Sequence, residues 1–249
     1  MNYIDTHFHL DLWTNPPEIF SEIEKQKVYT IAVTNTPSVF YYTEELANNS
    51  KYVRSAIGLH PELAVERQGE IDLFKKILKR TRYVGEVGLD YVNITEDEKQ
   101  IQKKVFETIV AECWEQKNKI ITIHSRRSAS DIIDIIGDNF PGTIILHWFS
   151  GSFKEMEKAL SYGFHFSINN AMTLSKKGKQ IIERLPNDKM LTETDGPFIK
   201  NKQVPHSPLM IPSIVQNLSK IKDMPVENLR VLIYSNFKQI LMIDKGVIG

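Results

Sequence analysis

The chain has 249 residues, of which 41% are hydrophobic and 25% charged, a balance that excludes disordered, collagen-like and disulfide-scaffold proteins. Lys and Arg together number 31, as do Asp and Glu, so no field of one sign holds the whole chain to nucleic acid or to an anionic membrane, and a polyanion would need a local site. The one cysteine cannot form an internal disulfide and suits a reducing compartment. No apolar run approaches the ~20 residues of a membrane span. The opening Met1-Asn2-Tyr3-Ile4-Asp5-Thr6-His7 lacks the basic start and apolar core of a signal peptide. A cytoplasmic location away from membranes is expected.

Apolar, β-branched runs alternate with segments of helical period along the chain. Strands are predicted at Tyr3–His9, Val28–Thr34, Val53–Leu59, Tyr83–Leu89, Ile120–His124, Thr143–Trp148, His165–Ile168 and Met190–Thr194. Between them lie predicted helices at Pro16–Gln26, Val39–Asn48, Glu70–Lys79, Glu96–Gln116, Ala129–Asn139, Phe153–Tyr162 and Lys176–Leu185, with two more at Leu209–Ile221 and Val226–Ile240. Pro16 and Pro17 suit a first turn, Ser128 and Ser152 suit N-caps, and Gly163 suits the position just past a helix. On the longest helix Ile101, Val105, Ile109 and Cys113 recur at i+4, which reads as core packing. No linker divides the chain, so residues 1–249 are read as a single domain. Eight strand–helix units in ~250 residues predict an α/β fold, a TIM (β/α)8 barrel. An open doubly wound sheet shares the alternation, but the count of eight and the lack of a glycine-rich first turn favour the barrel.

Five of the seven histidines stand at or just past predicted strand ends, where a barrel builds its active site. His7 and His9 end the first strand, His60 follows the third, and His124 and His147 end the fifth and sixth. The spacing His7-x-His9 puts both imidazoles on one face of a strand, where a pair without partners would be costly to bury. Asp5 shares their parity and is expected to orient an imidazole. Glu86, between glycines in an apolar strand, needs a cation nearby. Asp195 follows Glu193-Thr194 at the last strand end and faces inward, with Glu193 one layer deeper. His165 reads as structural, and Cys113 as packing. His206, in a loop on the active face, is a candidate for substrate contact or plain exposure. Trp148 and Phe149 pack at the rim or stack on a ring. Arg126, directly after the fifth strand, can grip a phosphate through two donors, and Lys176, Lys177, Lys179, Lys200 and Lys202 lie in or beside the same loops.

Four imidazoles and two carboxylates are too many for one zinc with an open position. They suit two divalent ions bridged by a carboxylate, which activate a water and clamp the attacking and leaving oxygens in hydrolysis of a phosphoester, amide or lactone. Histidine-rich ligation fits Zn, Mn or Fe, whereas Mg, also a candidate, prefers more oxygen.

Asp5-Thr6-His7-Phe8-His9-Leu10, Ile57-Gly58-Leu59-His60-Pro61, Gly85-Glu86-Val87-Gly88-Leu89-Asp90, Ile123-His124-Ser125-Arg126, His147-Trp148-Phe149-Ser150-Gly151 and Glu193-Thr194-Asp195-Gly196-Pro197 occur in this order. The set resembles the TatD-type metal-dependent deoxyribonucleases of the amidohydrolase superfamily, from residue 3 to Leu241, including a closing Ser235-Asn236-Phe237-Lys238-Gln239-Ile240-Leu241. The resemblance implies a distorted TIM barrel, two divalent ions and 3′→5′ exonuclease activity on DNA. By position it assigns one ion to His7, His9, Glu86 and Asp195 and the other to Glu86, His124 and His147. It places His60 on the substrate phosphate and gives Asp195 the attacking water. Gly196-Pro197-Phe198 and His206-Ser207-Pro208 depart from the family's loops, where substrate is chosen. The short chain and Leu10-Asp11-Leu12-Trp13 also resemble members encoded within anti-phage defence operons, which implies partner proteins. Two other readings stand beside the nuclease: a barrel hydrolase of a small phosphoester, lactone or amide, and a regulated nuclease subunit of a defence complex.

Overall fold

A computed structural model describes residues 2–242. All eight predicted strands are present: β1 (Ile4–Phe8), β2 (Tyr29–Ala32), β3 (Val53–Ser55), β4 (Tyr83–Asp90), β5 (Ile120–Arg126), β6 (Thr143–His147), β7 (His165–Ile168) and β8 (Met190–Thr192). Helices connect them: α1 (Pro16–Gln26), α2 (Phe40–Leu46), α3 (Ala64–Arg67), α4 (Ile71–Leu78), α5 (Glu96–Gln116), α6 (Ala129–Ile136), α7 (Phe153–Ser161), α8 (Asn170–Leu174) and α9 (Lys176–Arg184). A hairpin of β9 (Lys200–Asn201) and β10 (Val204–Pro205) follows, then α10 (Ile211–Ile221) and α11 (Val226–Met242). The strands pair in parallel as β1-β2-β3 and β4-β5-β6-β7-β8. Their apolar residues are buried on both faces, as in parallel sheets covered by helices. The architecture is a distorted (β/α)8 barrel. Among the described residues no helix is long and apolar enough to cross a membrane.

The distortion lies at two seams. At the first, β3 is shorter than predicted, and Ile57 beyond its end bridges Val84 of β4. Thr34, beyond β2, reaches across: its amide donates to the Gly85 carbonyl and its carbonyl accepts from the Glu86 amide, both at 3.0 Å. Only glycine fits beneath this crossing, because a Cβ on Gly58 would stand 1.8 Å from the Thr34 carbonyl oxygen and 2.5 Å from the Glu86 nitrogen. At the second seam, hydroxyls link β8 to β1: Thr6 donates to the Thr192 carbonyl at 3.2 Å and Thr192 to the Ile4 carbonyl. Beyond the strand ends the Asp195 amide donates to the His7 carbonyl and the His9 amide to the Gly196 carbonyl, each at 2.9 Å. Asp5 braces this seam rather than an imidazole. Its Oδ1 accepts from the amides of His7 and Thr194, each at 3.1 Å, and its Oδ2 accepts from the Thr194 hydroxyl.

Several helix ends follow local chemistry. Asn15 caps α1, Ser152 and Glu155 form a capping box on α7, and Gly163 follows that helix at φ +81°. Ser128 does not cap α6; its hydroxyl donates to the Leu89 carbonyl at 2.6 Å and ties α6 to the end of β4. Asn236 of the closing motif donates to the carbonyls of Asn187 and Met190 at 2.8 and 2.9 Å, fixing α11 to the start of β8.

Gly58→Ala is expected to destabilise the fold by ~3 kcal/mol or more in denaturant titration, since backbone rather than a flexible side chain must move. Gly69→Ala, with nothing within 4 Å of its Cβ position, serves as the neutral control. A second expectation concerns pH. Burial pushes His165 down from 6.5 to about 4, so the folded chain keeps it neutral while the unfolded chain takes up a proton below 6.5. The stability held by neutral His165 is complete above pH 6.5 and is lost as pH falls toward 4. His165→Asn should therefore reduce the loss of stability between pH 7 and pH 5 by at most ~2 kcal/mol.

Candidate metal centre

The C-terminal strand ends bring together most of the residues expected there. His7 and His9 are wholly buried at the end of β1, and Glu86 of β4, 2% exposed, lies between histidines of several strands. Glu86 Oε2 is 3.3 Å from both His7 Nε2 and His9 Nε2, and Asp195 Oδ1 is 3.9 and 3.6 Å from the same two nitrogens. Glu86 Oε1 is 2.7 Å from His124 Nδ1, 2.9 Å from His147 Nε2 and 3.4 Å from His60 Nε2. One carboxylate thus faces two groups of imidazoles, one with each oxygen. The rings of His7 and His147 stack with centroids 3.9 Å apart.

Close backbone approach makes this possible. A Cβ on Gly88 would fall 2.0 Å from the His124 carbonyl oxygen, at φ +144°, so glycine lets β4 draw against β5. Asp195 adopts the left-handed region at φ +50°. That turn ends β8 earlier than predicted and places the carboxylate beside His9, an unusual backbone of the kind that collects at functional sites.

The electrostatics are strongly coupled. Burial opposes the Glu86 anion, yet the charges of His60, His147 and His7 and the His124 hydrogen bond hold it well below the usual carboxylate range. Burial likewise opposes protonation of His9, but Asp195 and Glu86 push it up to about 9. His147 is raised against its burial by Glu86 and Glu193. His7 is lowered, by burial and by the charge of His147.

Two supporting residues, Asp90 and Thr122, escaped the sequence reading, and a third, Glu193, was expected. Asp90 Oδ2 lies 2.7 Å from His124 Nε2, which fixes that ring with Nδ1 toward Glu86. Thr122 Oγ1 lies 2.7 Å from His7 Nδ1. Glu193 sits one layer down, as expected, where Oε1 accepts from the Trp148 amide and the Asn169 side chain, each at 3.0 Å, and Oε2 from the Ser167 hydroxyl. Its Oε1 is 3.5 Å from His147 Nδ1, so it braces that imidazole. The missed signal was parity: Glu86, Gly88 and Asp90 share one strand face, as do Thr122 and His124.

A cavity of about 550 Å³ opens above the cluster, lined by Asn35, His60, Glu62, Leu63, Arg126, Trp148, Phe198 and others. His60 Nδ1 accepts from the Glu62 amide at 3.2 Å, so the neutral ring carries its proton on Nε2. Arg126 stands at the wall, 3.6 Å from Asp90 and 3.8 Å from Glu62. His206 is a correction: it is 1% exposed and absent from the cavity wall, packed under the Gly196 turn, where a Cβ would meet its carbonyl oxygen at 1.8 Å. Phe149 is core, edge-on to Phe166, while Trp148 is exposed at the mouth. None of the five loop lysines lines the cavity, although Lys177 donates to the carbonyl of Ser150 on its wall.

The donor set fits divalent cations. Neither ring nitrogen of buried His9 completes a hydrogen bond, so that imidazole points at carboxylates without a proton-sharing geometry. Donor atoms ~2.0–2.1 Å from one tetrahedral ion lie ~3.3 Å from each other, which matches the 3.3 Å spacings around Glu86 Oε2. His7, His9 and Asp195 offer donor atoms all within 4.8 Å of one another, and so do His60, Glu86 and His124.

A parallel barrel carrying such a cluster at its strand ends defines a metal-dependent hydrolase. The family model for TatD related DNase matches residues 4–242, and the chain belongs to that family. It is 27% identical to the Bacillus subtilis metal-dependent hydrolase YabD, over 96% of this chain and 99% of that one. It is 26% identical to a human 3′-5′ RNA nuclease, TATDN2, over 90% of this chain and 33% of that one. The Escherichia coli TatD homolog YjjV shares the fold with a TM-score of 0.84 at 23% identity, covering 96% of this chain and 97% of that one.

Asp90→Asn is expected to weaken divalent-ion affinity 10- to 100-fold, as loss of a carboxylate partner to a metal-binding imidazole does. Ion titration of the purified variant reads this directly, and unchanged affinity would remove Asp90 from the site.

Proposed function

We propose that this chain hydrolyses phosphodiester bonds of single-stranded DNA from a free 3′ end, using two divalent ions drawn from Zn, Mn and Mg. The observation that carries this reading is Glu86, whose two oxygens face two separate histidine groups. His7, His9 and Asp195 with Glu86 would hold one ion, and His124 and His147 with Glu86 the other. When bound, such a pair lowers the pKa of water and balances charge on the attacking and leaving oxygens.

The remaining work belongs to the chain's own residues. Asp195, fixed in its left-handed turn, accepts the proton of the attacking water. His60, on the cavity wall with Nε2 3.4 Å from Glu86 Oε1, would turn that N–H to a phosphate oxygen. Arg126 exchanges its loose ion pairs with Glu62 and Asp90 for the same phosphate. A site recessed at the strand ends favours a strand terminus over a stiff duplex. The 3′ polarity follows the family resemblance and the human relative's described action on RNA.

Strands of DNA and RNA labelled at either end, with free or blocked 3′ termini, test the reading alongside metal analysis. Stepwise loss from free 3′ ends is expected, with DNA preferred. Equal degradation of blocked and free strands would overturn the exonuclease assignment. Glu86→Gln keeps the shape and removes the charge, so turnover should fall by at least ~10²- to 10³-fold while the protein stays folded.

A further inference from the structure

Trp148 and Phe198 are the two large apolar side chains most exposed on the cavity wall, at 40% and 56%. Trp148 holds φ +39°, a left-handed backbone that a bulky side chain rarely adopts, and it is pinned there by the hydrogen bond its amide donates to Glu193 Oε1 at 3.0 Å. Among the described residues its ring contacts no other ring, whereas the other exposed tryptophan, Trp114, packs edge-on against Phe140. Phe198 is fixed by an edge contact with His9, centroids 4.9 Å apart at 89°. The two residues follow β6 and β8, which are separated by β7 alone. Both loops open on the same cavity, so a flat ring entering the mouth can meet an aromatic from each.

The charge of the mouth points the same way. Arg126 is the one Lys or Arg among the lining residues, and it is already engaged by Glu62 and Asp90. Such a mouth cannot track a polyanion through many phosphate contacts. Binding energy must come from another part of the substrate. A nucleobase offers a π-face that any sequence supplies.

We propose that Trp148 and Phe198 form a nucleobase subsite that grips the terminal base of the strand, so that stacking rather than backbone charge sets affinity. The proposal rests on the nuclease reading above and adds what that reading leaves open: which part of the nucleotide is recognised.

The test measures binding of two oligonucleotides to the Glu86→Gln protein, identical except that one ends in a normal 3′ nucleotide and the other in a 3′ abasic sugar. The normal strand should bind roughly 5- to 150-fold more tightly, the range of one base stacked on an aromatic. Trp148→Gly, which suits the positive φ, and Phe198→Leu should each cut that preference severalfold while leaving the abasic strand unchanged, and Trp148→Phe should restore most of it. Raising salt from 50 to 200 mM should weaken binding less than about tenfold, as one or two phosphate contacts require. Equal affinity for the two strands, or an equal loss on both in the variants, overturns the subsite. If neither strand binds, and wild-type protein cleaves bis(p-nitrophenyl) phosphate but no oligonucleotide, the nuclease reading fails and takes the subsite with it.

Discussion

The structure is organised around the burial of Glu86. A carboxylate 2% exposed inside a barrel is tolerable only when positive charge surrounds it. Here imidazoles from the ends of four different strand segments supply that surround, and they hold the anion against its own desolvation. The same arrangement explains why divalent cations suit the site. Protons on the histidines balance the carboxylates in their absence, and ions displacing those protons would satisfy the same electrostatic need more compactly.

The irregularities of the barrel are where the site is made. At the β3–β4 seam, Thr34 crosses above Gly58 and bonds both Gly85 and Glu86, which sets the backbone from which the central carboxylate projects. At the β8–β1 seam, the Asp195 amide reaches the His7 carbonyl while Asp5 clasps the amides on both sides. A regular ladder would carry these residues on its pleat, pointing alternately in and out. The breaks turn His7, Glu86 and Asp195 toward one point. Behind them Asp90 and Thr122 hydrogen-bond the rings of His124 and His7, and the Glu193 carboxylate faces His147 at 3.5 Å.

Family membership covers metal-dependent hydrolysis; the rim shapes the opening above the cluster. Its single arginine and two exposed aromatics are the features on which the proposed recognition of a strand end rests. The hairpin after β8 places Phe198 at the mouth and turns His206 beneath it, so that loop shapes the opening through an aromatic rather than through an imidazole.

Much of this was legible in the sequence. Alternating strand and helix periods, eight strands and histidines gathered at strand ends determined the barrel and the neighbourhood of the site, because periodicity and parity are local properties of the chain. The pair His7-x-His9 and the glycine-flanked Glu86 could be placed on strand faces from spacing alone. Asp90 and Thr122 obeyed the same parity and were overlooked for want of a named partner. What the sequence could not determine was where each loop turns. His206 lay in the right loop, yet a backbone contact with Gly196 buries it, while Trp148, beside the core residue Phe149, is turned outward by one left-handed residue and a buried carboxylate. Asp5 shows the same division: its parity was readable, but whether it served an imidazole or a backbone amide depended on how the last strand met the first. Only tertiary structure decides such matters, because they rest on contacts between segments as much as 189 residues apart, and neither local propensity nor spacing encodes the direction from which a distant strand approaches.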